Sequence, residues 1–308
     1  MRRRAKPVHA EPLGLAPDFT VDTALKRIGR ACLDHLVRNE DAALAGNAEG
    51  IHQMRVAVRR LRAMLSAFAP LLPKEQRRWA SGELEWFADA LGDVRNLDVF
   101  ASTLLHPARA ELPPASEFER LALAVGARRR KAQEAAVAAI LSPRYTDAVL
   151  GLLRWFDSSG WRAGGNLREL ERPILELAPV LLDRCRDKAQ KLAKGYKRQS
   201  AAERHRLRIA LKKLRYAGEA FAGLYHSFEV QPFVQRLKRL QDDLGDANDV
   251  RVGREIVAAL TEPGRHTTGI GLAGHRVLAW NQRRLASLEA GVSRQLIELI
   301  DVTPFWWP

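Results

Sequence analysis

The sequence predicts an all-α fold built from two similar helical bundles. No segment has the sustained alternation of β-branched residues that is typical of a strand, whereas apolar residues recur at helical spacing along most of the chain. Residues 51–72 and 204–224 share one layout at an offset of 153 positions, and Leu-Gly-Asp occurs at 91–93 and again, at the same offset, at 244–246. We interpret this offset as an internal duplication that yields two pseudo-symmetric bundles.

The first bundle is predicted to occupy residues 18–157. Residues 1–17 combine a basic start with three prolines and a glycine, which is typical of a flexible tail. Asp18 or Thr20 can cap the first helix, and the prolines at 70 and 73 end the second. Helices are expected over about 18–39, 51–69, 74–91, 93–105, 116–141 and 143–156, with a loop at 46–50.

The second bundle is predicted to occupy residues 170–303, in the same order. Residues 158–169 are rich in glycine and polar residues and form the most linker-like stretch of the chain. Helices are expected up to about 195, around His205, up to Gly245, from Asp246 onward, and in a last long segment to about 300. The aromatic tail at 304–308 either packs across the base of the bundle or binds a partner.

The repeated Leu-Gly-Asp sequence predicts a helix junction in each half. Glycine is the preferred residue just past the end of a helix, so Gly92 and Gly245 are expected to end one helix. Aspartate is a good N-cap, so Asp93 and Asp246 are expected to begin the next. The shared offset means that the two halves have no net insertion between the repeated motifs.

Each half also contains an amphipathic helix with a cationic stripe. At roughly 100° per residue, four basic side chains of each helix fall within an arc of about 80°, opposite an apolar face. No acidic residue occurs from 51 to 74, so the first stripe cannot be neutralised within its own helix. The pattern predicts a polyanion-binding helix that occurs twice, with these candidate residues: His52, Arg55, Arg59, Arg62, His205, Arg208, Lys212 and Arg215.

Further basic residues are candidates because they flank the stripes or pair at the same offset. They are Arg38, Arg60, Arg130, Lys131, Lys191, Lys213, Arg283 and Arg284. The alternative interpretation is that carboxylates inside each bundle satisfy the stripes, and the candidates for that role are Asp93, Asp98, Asp246 and Asp249. If the two bundles pack through their repeated helices, both stripes border one shared groove.

Composition favours an anionic partner. Lys and Arg number 50 against 36 Asp and Glu, a formal charge of +14 in 308 residues. Only 7% of residues are aromatic, which disfavours a base-stacking single-strand binder. No apolar run approaches the length of a membrane span and no secretory signal is evident, so we expect a cytoplasmic protein with no membrane association. Cys32 and Cys185 are expected to be free thiols.

The paired motifs resemble those of the CHAD domain (conserved histidine α-helical domain) family. The family patterns HxxRVxxRRLR and HxLRIxxKxLRY correspond here to residues 52–62 and 205–216, and both Leu-Gly-Asp sequences also match. The chain departs from the family at Asn96, where an aspartate usually follows Arg95. Because no glutamate-rich ExExK stretch accompanies the motifs, the chain is similar to stand-alone members.

This resemblance implies a two-bundle fold that binds inorganic polyphosphate in a basic central cavity and associates with polyphosphate granules. It assigns binding to the eight stripe residues and implies neither a cofactor nor a catalytic residue. Two other functions stay open: phosphotransfer through His52 or His205, and nucleic-acid binding, which a polyphosphate site could also support weakly. Metal chelation is disfavoured because neither histidine has a nearby partner at ligand spacing. The sequence does not indicate the oligomeric state.

Overall fold

The computed structural model of the chain describes residues 6–261 and 268–307. Residues 1–5 of the predicted tail and Pro308 lie outside the described residues. Within the described part, the fold is all α, and its β content is one isolated bridge between Thr20 and Pro173. The helices are α1 (Val21–Val37), α2 (Glu40–Leu44), α3 (Ala48–Ala67), α4 (Lys74–Ala90), α5 (Gly92–Val99), α6 (His106–Glu111), α7 (Ser116–Ile140), α8 (Pro143–Asp157), α9 (Leu167–Leu170), α10 (Ile174–Ala193), α11 (Ala201–Phe221), α12 (Ser227–Leu260) and α13 (Thr268–Asp301).

Helix starts in the two halves follow the offset seen in the sequence. The pairs α1 and α10, α3 and α11, and α4 and α12 each begin 153 positions apart. Both stripe helices have side-chain N-caps: Asn47 accepts hydrogen bonds from Glu49 and Gly50, and Ser200 forms a capping box with Glu203. These correspondences agree with a duplicated unit, which stays an interpretation.

The stripe helices α3 and α11 pack directly against each other at the centre of the molecule. The Phe68 and Phe221 ring centroids lie 6.0 Å apart, and Lys213 Nζ donates to Ser66 Oγ across the same contact at 2.9 Å. Helix α3 also packs on α1, and α11 packs on α10 and α12. This arrangement buries the apolar side of each stripe helix and leaves both cationic sides next to one space.

Residues 6–17 are not the flexible tail that their composition predicts. Leu13 and Leu15 are buried in the main core, and Val8 exchanges two hydrogen bonds with the buried Asn39, at 2.9 and 3.0 Å. Prolines and glycine give this segment an extended path without a helix, but its two leucines anchor it by apolar burial. We call it the N-terminal strap.

The predicted Leu-Gly-Asp junctions are wrong for the second half. Helix α12 passes through Gly245 without a break, and Gly92 is the first residue of α5 rather than a left-handed cap. A Cβ at Gly92 would lie 3.6 Å from Arg55 Nη1, and a Cβ at Gly245 would lie 3.5 Å from Arg208 Nη2. Each glycine is therefore covered by the guanidinium of a stripe arginine, at a distance that would be an ordinary contact for a Cβ, and neither glycine has the left-handed conformation of a helix cap.

The helix predicted to end at residue 105 instead continues to Glu111. A π-helical turn at Phe100–Leu105 links α5 to α6, and Pro107 lies in the first turn of α6. Pro107 lacks a backbone N–H, and the π-helical turn directly before it is where the α-helical hydrogen-bond pattern changes. Phe100 and Leu104 pack with α12 and α13 in a second, smaller apolar cluster.

The connection between the halves and the aromatic tail are both packed against the bundles. Trp161, inside the predicted linker, is fully buried and donates to Asp22 at 2.7 Å. Phe305 and Trp306 are buried beside Phe233, and Trp306 donates to Asp183 at 2.8 Å. The aromatic tail thus packs across the end of the second bundle, the first of its two predicted roles.

Cys32 and Cys185 are free thiols, and burial raises the pKa of Cys32 to about 11.

In the described part of the chain, no single helix has the length and apolarity to cross a membrane. Helices α7 and α8, bent by 52° relative to each other, meet those criteria only when they are taken together.

Candidate functional site

The cationic sides of α3 and α11 border a cleft of about 1050 Å³, which we call the central cleft. Its walls come from α3, α5, α11 and α12, with residues 9–12 of the N-terminal strap along one edge. It therefore draws side chains from both halves of the chain. The basic residues that line it are His9, His52, Arg59, Arg60, Arg95, Arg208, Lys212, Arg215 and Lys238.

Five of the eight stripe residues line this cleft, and three do not. The Arg55 side chain lies against the C-terminal end of α4, where its guanidinium donates a hydrogen bond to the carbonyl of Ala88. Arg62 forms an ion pair with Glu85 at 2.9 Å, and both side chains are solvent-exposed. His205 is exposed beyond the cleft wall. A position in the stripe predicts the side of the helix but not the partner of the side chain.

The cations at the centre of the cleft lack compensating carboxylates. Among the described residues, Arg59, Arg208 and Lys212 have no carboxylate oxygen within 4.0 Å. The Nε atoms of Arg59 and Arg208 are buried without a hydrogen-bond partner, as is Nδ1 of His52. Buried donors without partners are costly, and an anion entering the cleft would relieve that cost.

Burial and neighbouring positive charges lower the pKa values of two side chains in the cleft. Burial, reinforced by Arg208, Arg59 and Arg215, lowers the pKa of Lys212 to about 6. Burial and neighbouring arginines likewise lower the pKa of His52 to about 4. Both groups are therefore mainly neutral at pH 7 when no anion is bound. A bound anion favours the charged form of each, so binding is expected to take up protons.

Among the described residues, none of the four carboxylates proposed as internal partners lies within 4.0 Å of a cationic nitrogen of a stripe residue, although Asp93 attracts Arg55 from a longer distance. Asp98 pairs with Arg129 at 2.5 Å, and Asp246 lies 3.7 Å from Arg284; neither arginine belongs to a stripe. Asp249 does line the cleft. Burial raises the pKa of Asp249 above its usual value, and the attraction of Arg208, which lowers that pKa, is the smaller effect. Arg215 is the exception among the cleft-lining stripe residues, because Glu219 on its own helix accepts a hydrogen bond from it at 2.5 Å.

The additional candidates divide into those near the cleft and those remote from it. Arg60 lines the cleft, whereas Lys213 is directed to Ser66 at the contact between α3 and α11. Arg38 pairs with Glu11 and Asp34 beside the N-terminal strap. The others are exposed and do not line the cleft: Arg130, Lys131, Lys191, Arg283 and Arg284.

Sequence reasoning missed two cleft cations. Arg95 comes from α5 and Lys238 from α12, and both line the cleft. Arg95 lies two positions after Asp93 of the first Leu-Gly-Asp motif, so the repeat itself contained a signal for it. Lys238 lies within a general run of charge on α12 and has no distinguishing pattern.

The described residues offer no cluster of three or more His, Cys, Asp or Glu side chains arranged to hold a metal ion. The chemistry available in the central cleft is instead that of cationic donors. Guanidinium groups present planar pairs of N–H donors to oxyanions, and the amine of Lys212 supplies a further donor when it is protonated.

Comparison with known proteins places this geometry in context. A family model for the CHAD domain matches residues 27–258. The crystal structure of the CHAD domain from the plant Ricinus communis is 28% identical, with a TM-score of 0.83, and the match covers 97% of this chain and 98% of that one. PptA from Streptomyces chartreusis is 16% identical, with a TM-score of 0.68 over 92% of this chain and 100% of that one, which shows a shared fold alone.

Curated relatives are longer. An uncharacterized protein of Mycobacterium tuberculosis strain H37Rv is 27% identical over 278 residues, which is 85% of this chain and 51% of that protein. A counterpart in strain CDC 1551 matches to the same extent. The chain thus spans about half the length of the curated relatives it matches.

Proposed function

The chain belongs to the CHAD domain family, and we propose that it binds inorganic polyphosphate in the central cleft without catalysing a reaction. The family is associated with polyphosphate binding. We further propose that the protein acts in the cytoplasm, on polyphosphate granules.

The observation that supports this proposal best is the set of uncompensated cations that the two halves bring to one cleft. Arg59 comes from α3, and Arg208 and Lys212 come from α11. A structural role alone would pair such half-buried basic groups with carboxylates, because a partly buried basic group without an acceptor is costly to the fold. A polyanion can supply the missing acceptors.

Inorganic polyphosphate fits the chemistry of the cleft better than nucleic acid does. Each internal phosphate has about one negative charge and oxygens that accept paired guanidinium donors. Tyr216 is the aromatic residue that lines the cleft, and it is buried, so few rings are available for base stacking. The cleft therefore offers contacts to a phosphate chain and little to a base.

The proposal is tested by measuring the binding of long-chain polyphosphate over a salt series, with duplex DNA as competitor. For the wild type we expect binding that weakens linearly in log affinity against log salt and that DNA displaces poorly. The double variant Arg59→Ala with Lys212→Ala should lose about a hundredfold in affinity, since each charged hydrogen bond contributes about 1.5–3 kcal/mol.

Arg130→Ala with Lys131→Ala is the matched control, because it removes two exposed cations outside the cleft. Equal losses in the two double variants would indicate nonspecific surface attraction. Displacement by DNA at the same phosphate concentration would contradict a dedicated polyphosphate site.

A further inference from the structure

Lys212 brings a primary amine into the centre of a cleft that arginines otherwise dominate. It lines the cleft with Arg59, Arg208 and Arg215, and no carboxylate lies within 4.0 Å of it among the described residues. Guanidinium groups stay protonated in proteins and do not act as nucleophiles. The Lys212 amine differs from them because it can lose its proton and attack an electrophile.

The surroundings of Lys212 favour the neutral, nucleophilic amine. Burial is the largest influence, and Arg208, Arg59 and Arg215 add to it, so that its pKa falls to about 6; Asp249 opposes them. The remaining charged or titratable groups that line the cleft are His9, Glu11, His52, Arg60, Arg95, Tyr216, Glu219, Lys238, Asp242 and Asp246. At pH 8 most Lys212 amines are therefore unprotonated when no anion is bound, whereas an ordinary lysine is almost fully charged.

The cleft thus combines donors that can hold a phosphate group with a primary amine beside them. A small molecule with both a phosphate and an electrophilic carbonyl would be held by the first and exposed to the second. We propose that the central cleft is also an acylation site, in which acyl phosphates are held through their phosphate by Arg59 and Arg208 and acylate the Lys212 amine.

The transfer balances without any further reactant. The Lys212 nitrogen attacks the carbonyl carbon, a C–N bond forms, and the C–O bond to the phosphate breaks. The leaving group departs as inorganic phosphate, which accepts the proton that the nitrogen loses. The product is a neutral amide, so an acylated Lys212 can no longer take up the proton that a bound polyanion would favour. The expected weakening of polyphosphate binding rests on the proposed function, but the acylation itself does not.

Two other lysines provide internal controls. Lys213 is the next residue along α11, but its amine is directed to Ser66 at 2.9 Å and does not line the cleft. Lys238 lines the same cleft but is exposed. The first half has no equivalent nucleophile, because the position that corresponds to Lys212 is Arg59.

The test is to incubate the intact chain with acetyl phosphate at pH 8 and to quantify acetylation of each lysine over time by peptide mass spectrometry. We expect Lys212 to react about tenfold faster than Lys238 or more, because its unprotonated fraction is far larger. Inorganic triphosphate should slow the reaction at Lys212 more than at lysines outside the cleft. Lys212→Arg, which keeps a cation at this position, should remove the fast site while circular dichroism shows an intact fold.

A second reagent separates phosphate recognition from amine reactivity. Arg59→Gln alters both the local charge and the phosphate contacts, so Lys212 labelling by acetyl phosphate is compared with labelling by N-hydroxysuccinimide acetate, which has no phosphate. We expect the ratio of the two rates to fall about threefold or more in Arg59→Gln.

Equal labelling of Lys212 and Lys238 by acetyl phosphate, or an unchanged ratio in Arg59→Gln, would overturn the proposal. A wild-type protein that binds polyphosphate but is not acetylated at Lys212 would contradict the acylation site alone. Rapid acetylation in a protein that does not bind polyphosphate would contradict the proposed function alone.

Discussion

Equivalent positions in α3 and α11 have similar side chains but different surroundings. Arg62 lies outside the cleft in an exposed ion pair with Glu85, whereas its counterpart Arg215 lines the cleft and donates to Gln241 at 2.8 Å. His52 lines the cleft, whereas His205 does not. The repeat therefore decides which side of a helix is basic, and the neighbouring helices decide which of those charges can meet a ligand.

The positions beyond the Leu-Gly-Asp motifs also differ between the halves, but here the first half adds positive charge to the cleft and the second half adds negative charge. One residue beyond the motif, the first half has Arg95 and Asn96, and at the equivalent positions the second half has Asn248 and Asp249. Arg95 and Asp249 both line the cleft, one adding a cation and the other a carboxylate. The first half thus supplies fewer stripe residues to the cleft but is free of the opposing carboxylate.

The largest difference is expected between two arginines one turn apart on α3. Arg59→Gln should weaken polyphosphate binding about tenfold to thirtyfold, because it removes an uncompensated charged donor worth about 1.5–2 kcal/mol. Arg62→Gln should change affinity by about twofold or less, because it breaks only an exposed ion pair. Titration calorimetry on both variants measures the difference, and similar losses would show that the outer face also binds.

The pH dependence of binding is expected to reflect the protonation of Lys212, which lies in the second half of the chain. The pKa of Lys212 is about 6 in the free protein, and a bound polyanion raises it, so the complex holds more protons than the free protein. Affinity should therefore fall as pH rises from 6 to 9, by up to about tenfold for each pKa unit by which binding raises the value.

Lys212→Arg provides the control for that experiment, since arginine stays charged throughout this range. Binding of this variant, measured at constant ionic strength, should depend on pH much less than that of the wild type. A wild-type affinity that is flat between pH 6 and 9 would contradict the titration of Lys212 in the cleft.

Removing the carboxylate of the second half should strengthen binding. Asp249→Asn deletes a negative charge from the cleft wall, and we expect affinity to rise about threefold at low salt and less at high salt, where screening is stronger. Glu85→Gln is the matched change outside the cleft and should leave affinity unaltered. Weaker binding in Asp249→Asn would mean that Asp249 instead orients Arg208 for the ligand.

The smallest effect concerns the repeated glycine. A Cβ at Gly245 would make an ordinary contact, 3.5 Å from Arg208 Nη2, in the interior of a long helix. Gly245→Ala should therefore stabilise the protein by about 0.5–1 kcal/mol, the usual gain in a helix interior. Thermal unfolding measures this change, with Gly92→Ala at the start of α5 as its counterpart. A lower melting temperature for Gly245→Ala would show that the Arg208 guanidinium cannot move aside.

Periodicity in the sequence was sufficient to predict the helices and the cationic sides of α3 and α11. It predicted the wrong role for Gly245, because the sequence alone does not distinguish a glycine that ends a helix from a glycine that an arginine side chain covers. It also treated residues 6–17 as a tail, since two anchoring leucines do not form a pattern. Which stripe residues reach the cleft depended on Ala88 and Glu85, whose positions are set by α4 and not by the repeat.

The central claim is that polyphosphate lies between α3 and α11, and a crystal structure of the protein with a short polyphosphate chain tests it most directly. We expect phosphate oxygens within hydrogen-bond distance of Arg59, Arg208 and Lys212, with no phosphate at Arg62. Phosphates along the exposed basic residues of α7, with an empty central cleft, would contradict the account.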